Sequence, residues 1–142
     1  PARSSVRSGD GRVTMFTSSG ARSQLGEKFA AMWVQLGGPE LAEEFKFHPD
    51  RKWRADFAHE GARVLIEVEG GTYSNGRHNR HAGYRGDCEK YNAAAMDGWC
   101  VIRLTSDMIQ PDVLEKLIRF VTVRADYATP EEWQRIMKWV QS

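Results

Sequence analysis

The sequence predicts an α/β or α+β fold whose elements run helix, three strands, helix, strand and two helices. Three observations carry this. Apolar residues recur at helical spacing over residues 23–36, and they alternate with period two in three short segments between residues 43 and 70. They then run almost unbroken over residues 99–104, ahead of two further helical stretches. At 142 residues the chain reads as one domain, long enough to bury about two-thirds of the surface its unfolded form exposes.

Residues 1–20 are rich in Ser, Gly and Arg with little periodicity and read as a flexible basic tail, leaving 21–142 as the single domain. Leu25, Phe29, Met32, Trp33 and Leu36 form the stripe of the first helix, and "GGP" at 37–39 stops it. Ala30, Ala31 and Val34 give that helix a second apolar side, with Glu27 at its head. "EEFKFH" alternates Phe45 and Phe47 with charged residues. "KWRADFAH" is expected to set Trp53, Ala55 and Phe57 on one face, with Arg54, Asp56 and Ala58 on the other. "ARVLIEVEG" sets Val64, Ile66 and Val68 against Leu65, Glu67 and Glu69. The short connection at His59–Gly61 makes these last two strands an antiparallel hairpin.

Residues 84–97 read as a helix ending at Gly98, and "WCVIRL" (99–104) as a strand covered on both faces. Pro111 opens the next helix, bearing Val113, Leu114, Leu117, Ile118 and Val121. Thr129, Pro130 and Glu132 form a capping box before a last helix with Trp133, Ile136, Met137 and Val140.

No run of about 18 apolar residues offers a membrane span. The N-terminus has neither the apolar core of a secretory signal nor a starting Met, which suits an excised or processed fragment. Cys88 and Cys100 make no disulfide framework, so a cytoplasmic setting is expected. The net charge of +1 conceals two basic stretches. Residues 1–22 hold Arg3, Arg7, Arg12 and Arg22 against Asp10, and residues 72–86 hold Arg77, Arg80 and Arg85 with no acid, each a local +3.

Chemistry concentrates in "VLIEVEGG" (64–71), where period two puts Glu67 and Glu69 on one sheet face. Asp56, on the expected hairpin partner, can share that face. Clustered carboxylates raise one another's pKa unless a cation neutralises them. Hard oxygens on a rigid strand pair suit Mg²⁺ or Mn²⁺. The plainer alternative is a solvated acidic face paired with Arg54 or Lys52.

"RADF", "LIEVEGG", the helix start "GDCEKYNAA" and the strand "GWCVIRL" together resemble the PD-(D/E)XK nuclease superfamily over residues 23–105. The likeness is closest to the small endonucleases related to very-short-patch repair enzymes. It implies a restriction-endonuclease-like α-β-β-β-α-β core with a mixed central sheet, followed by two additional C-terminal helices. It also implies a metal-dependent DNA endonuclease using Mg²⁺ or Mn²⁺. By this resemblance Asp56 and Glu67 hold the metal with the backbone carbonyl of Val68, and Glu27 matches the extra helical acid. Glu69 stands where the motif has lysine, so it becomes a candidate general base or second-ion ligand, and Lys90 the candidate replacement ammonium, the alternative being a surface lysine paired with Asp87 or Glu89. Arg77, His78, Arg80, His81 and Arg85 would grip the DNA backbone, with Tyr73 stacking or packing beside them.

The resemblance thus implies DNA, duplex or branched, as partner, with a homodimer where symmetric cutting is needed. The setting would be a prokaryotic or phage-infected cell. Four rivals remain in view. One is a catalytically inactive module of the same fold that only binds DNA. Another is zinc on His78, His81, Cys88 and Cys100, although the two cysteines are 12 apart. "RHNRH" also looks like an HNH motif without its context. The last is an interaction domain docking through Trp133 and Trp139.

Overall fold

The computed structural model describes residues 3–7, 13–17, 22–70, 80–127 and 129–141. One mixed sheet carries six strands in chain order: β1 (Arg3–Arg7), β2 (Val13–Thr17), β3 (Leu41–Lys46), β4 (Arg54–His59), β5 (Val64–Glu69) and β6 (Cys100–Thr105). The β2–β3 and β5–β6 pairs are parallel and the other three antiparallel. Four helices complete the chain: α1 (Gln24–Gln35), α2 (Arg80–Met96), α3 (Pro111–Tyr127) and α4 (Pro130–Gln141).

The expected order from the first helix onward is therefore present, and α2 is the crossover that parallel pairing of β5 and β6 requires. The tail expectation is corrected: β1 and β2 pair antiparallel, Arg3 opposite Thr17, and β2 joins β3 through Phe16 and Leu41. "VTMFT" is a β-branched and aromatic run, and that preference for a pleated surface outweighs the surrounding Ser, Gly and Arg.

Alternate residues of β5 divide the core. Val64 and Ile66 join Phe29, Trp33 and Val34 of α1, Phe57 of β4, and Leu114, Leu117 and Val121 of α3. Leu65 points the other way, into a smaller cluster with Phe47, Ala55, Ala58, Ala94 of α2 and Trp99. The two layers thus hold α1 and α3 on one side and α2 on the other.

Ser23 caps α1, its hydroxyl accepting from the Gly26 N–H at 3.0 Å. At the helix's far end Gly38 passes so close to the buried Trp33 indole that a Cβ there would lie 2.4 Å from the ring. The expected capping box closes the start of α4, where the Glu132 N–H donates to Thr129 Oγ1 at 3.2 Å and the Glu132 carboxylate accepts from the Thr129 N–H. Gly98 takes a φ of 83° just after α2, the left-handed turn that ends it. Among the described residues no helix is long and apolar enough to cross a membrane.

The expected facing of β4 is also corrected. Ala55 packs in the α2-side cluster, whereas Phe57 packs against Phe29 on the α1 side. Strict alternation fails between them, at Asp56. The neighbouring strand breaks alternation opposite this point: Glu44 has a φ of 48°, Glu43 pairs with Phe57, and Phe45 pairs with Ala55. A non-glycine residue in the left-handed region costs about 1–2 kcal/mol, so the distortion is held by its surroundings.

Candidate active site

The β4–β5 ladder runs from His59 and Val64 to Phe57 and Ile66 and then stops. Side chains take over from the backbone at the next pair. The Val68 N–H donates to Asp56 Oδ2 at 2.8 Å, and the Asp56 N–H points at Glu67 Oε2 at 3.4 Å. Asp56 and Glu67 are thus brought side by side, as the hairpin predicts. Glu67 is 7% exposed, a depth at which acids are rare unless paired.

Its partner comes from α2. The Lys90 ammonium donates to Glu67 Oε1 and forms an ion pair with it. One residue along the helix, the Tyr91 hydroxyl donates to Glu69 Oε1 at 3.3 Å. Arg103 of β6 donates to the same oxygen at 2.7 Å, its guanidinium lying 4.4 Å over the Tyr91 ring. The shared face of Glu67 and Glu69 is therefore real, and it faces α2. Each acid has its own cation, and neither is the Arg54 or Lys52 of the solvated alternative.

Burial pushes Glu67 up to about 7, further than the hydrogen bond and charge of Lys90 pull it down, and the nearby Asp56 carboxylate adds to the rise. Tyr91 is raised by burial and by Glu67 and Glu69. Arg103 is raised chiefly by its hydrogen bond to Glu69.

Glu27 is not brought to these acids. It lies on α1, on the other side of the sheet, where its carboxylate meets Arg22 at 3.3 Å. Arg22 also pairs with Glu43, a carboxylate 7% exposed on β3. Among the described residues no group of three or more His, Cys, Asp and Glu side chains is placed to hold a metal ion. The pair Asp56 and Glu67 still has the right donors for a hard divalent cation, being two adjacent carboxylates from two strands, one destabilised by the other's charge. The Val68 carbonyl lies on β5 between Glu67 and Glu69.

Of the expected DNA-binding residues, Tyr73, Arg77 and His78 lie outside the described residues, as do the side chains of Arg80 and His81 at the start of α2. Arg85 is exposed and pairs with Glu89 at 3.1 Å, one helical turn on. The expected zinc set is likewise beyond description at His78 and at the His81 side chain, while Cys88 and Cys100 are free thiols.

Sequence reasoning missed Arg103, although a lone cation inside "WCVIRL" was a signal, since an adjacent parallel strand carries two acids. It also missed the Arg22–Glu43 pair, for which spacing gives no sign. Comparison of the chain with models of protein families, with curated proteins and with solved structures finds no match in any of the three.

Proposed function

We propose that this protein is a divalent-metal-dependent nuclease that hydrolyses phosphodiester bonds in DNA, of the PD-(D/E)XK kind. One observation carries the reading: Asp56 and Glu67 meet where β4 and β5 part, with the Lys90 ammonium on Glu67. That ammonium supplies from α2 the positive charge that the motif position lacks, where Glu69 stands instead.

Asp56 and Glu67, with the Val68 carbonyl, would hold Mg²⁺ or Mn²⁺. Such an ion, when bound, lowers the pKa of water and polarises a phosphoryl oxygen. The chain's own residues then have distinct tasks. Lys90 holds Glu67 in place and can turn a donor toward charge developing on the phosphate. Arg103 and Tyr91 restrain Glu69, so Glu69 orients the β6 edge rather than joining the two acids.

This arrangement also favours a second reading, an inactive fold that only binds DNA. Lys90 and Arg103 already neutralise Glu67 and Glu69 without any metal. A panel of labelled DNAs (single strand, duplex, mismatch, flap and four-way junction) in EDTA, Mg²⁺ or Mn²⁺ separates the two. Cleavage that requires the metal and vanishes in Glu67→Gln supports the nuclease. Binding without cleavage supports the inactive module, and neither binding nor cleavage overturns both.

A further inference from the structure

The connection between β3 and β4 is as basic as the stretches that the sequence draws attention to. Over residues 46–54, "KFHPDRKWR", Lys46, Arg51, Lys52 and Arg54 stand against the single acid Asp50, a local +3. All four cations are exposed. Lys46 and Arg54 are direct cross-strand partners, an arrangement of like charges that costs stability unless something neutralises it. Among the described residues no acid does so for Lys46, Lys52 or Arg54.

The loop has a built conformation. His48 Nδ1 accepts from the N–H groups of Asp50 at 3.1 Å and Arg51 at 3.0 Å. Trp53 stacks on the buried Phe47 with ring centroids 6.4 Å apart, meets His48 edge-on at 5.3 Å, and carries the Arg51 guanidinium 4.2 Å over its ring. A loop backbone held in this way need not be ordered anew on binding.

Its position is the decisive point. Arg54 opens β4 two residues before Asp56, about 7 Å of strand. Arg51 reaches Glu89 on α2 at 3.7 Å, next to Lys90. The loop therefore lies next along β4 from Asp56, at the end where β4 and β5 part, and touches the helix that brings the ammonium. Lys46 and Arg54, alternating with Phe45, Phe47 and Ala55 of the α2-side cluster, stand on the opposite face of the sheet.

We propose that this hairpin is a phosphate-tracking surface on which the backbone of duplex DNA lies as it approaches Asp56 and Glu67. Lys46, Lys52 and Arg54 make the contacts and Trp53 holds the loop rigid. The proposal rests on the nuclease reading for the identity of the polyanion, but not on catalysis.

The test uses the full chain carrying Glu67→Gln, so that no strand is cut, and a labelled duplex in Mg²⁺ and in EDTA. Affinity is followed from about 50 to about 200 mM salt, since each lost phosphate contact removes about 0.9 from the slope of log K against log salt. Lys46→Ala, Lys52→Ala and Arg54→Ala together are expected to lower that slope by about 2 to 3 and to weaken binding by on the order of tenfold or more. The same charge removed elsewhere, as Lys28→Ala, Lys116→Ala and Arg119→Ala, is expected to leave the slope near its starting value. Equal slopes for the two triple variants overturn the surface while leaving the nuclease reading intact. Binding with the expected slopes, but no cleavage by the wild-type chain, overturns the nuclease reading and leaves the surface standing. No binding in either buffer overturns the surface, and with no cleavage by the wild-type chain it overturns the nuclease reading as well. Thermal melts of the triple variants confirm that each is folded.

Discussion

The Lys90 ammonium of α2 is bonded to the Glu67 carboxylate of β5, with side chains 17% and 9% exposed. A pair this enclosed is costly to break from one side, by about 3–5 kcal/mol, because the survivor is left as an unpaired buried charge. Lys90→Met is therefore expected to destabilise the protein by about that amount near pH 8, and less near pH 5, where Glu67 takes up a proton instead. Denaturant titrations at the two pH values measure the difference. An equal loss at both would show that Glu67 is not the group left stranded.

Glu67 itself should imprint a pH dependence on stability. A glutamate that ordinarily titrates at 4.5 here titrates at about 7. Between these values the folded chain holds a proton that the unfolded chain has lost. Its contribution is fully present below about 4.5 and is lost as pH rises through about 7, at up to about 1.4 kcal/mol per pH unit. Glu67→Gln abolishes this slope, so plotting the stability of variant minus wild type from about pH 5 to about pH 8 should give a rising line. A flat line would mean that the carboxylate is charged throughout.

On the proposed nuclease reading the expected order for cleavage is explicit. Asp56→Asn and Glu67→Gln should abolish metal-dependent hydrolysis, and Lys90→Ala should reduce it by about a hundredfold or more, the scale for losing one donor at developing charge. Glu69→Gln should retain activity within about tenfold, because Arg103 and Tyr91 hold that carboxylate apart from the other two. Rates measured at saturating Mg²⁺ decide between these. Loss of activity in Glu69→Gln equal to that in Glu67→Gln would restore the general-base role to Glu69.

On the α1 side, Arg22→Met should cost about 3–5 kcal/mol by stranding the Glu43 carboxylate, while Arg22→Met with Glu43→Leu should recover most of it. A double-mutant cycle by denaturant unfolding reads the coupling directly. Burial also raises a steric expectation for Gly38→Ala. The added methyl would meet the fully buried Trp33 ring, and overpacking of this kind costs about 1–3 kcal/mol.

Much of the fold was legible because periodicity reports which side of an element is buried. The stripe through Phe29 and Trp33 announced α1, and the alternation in Val64–Glu69 placed Glu67 and Glu69 together. The candidate site was legible as far as Asp56 and Glu67, since strand pairing is a local rule, whereas Lys90 entered only through the family resemblance, with pairing to Asp87 or Glu89 as its alternative. The partner of Glu69 was not legible, because Arg103 lies 34 positions away and finds it only through the parallel pairing of β5 and β6. Glu27 entered the candidate site only through the family resemblance, and its carboxylate meets Arg22 instead. The β1–β2 hairpin escaped because Ser- and Arg-rich composition masked a short β-prone run. The face switch between Ala55 and Phe57 depends on a left-handed Glu44, which no alternation pattern announces.

The exchange of partners between Asp56 and the Val68 amide has a spectroscopic consequence. That amide proton answers to a side-chain carboxylate, not to a backbone carbonyl of the neighbouring strand, just past the end of the β4–β5 ladder. Whatever draws on Asp56, a proton or a divalent ion, must draw charge away from this one N–H. Its resonance in a ¹⁵N-labelled sample is thus a built-in indicator of the loading of the acid pair, readable before any substrate is known.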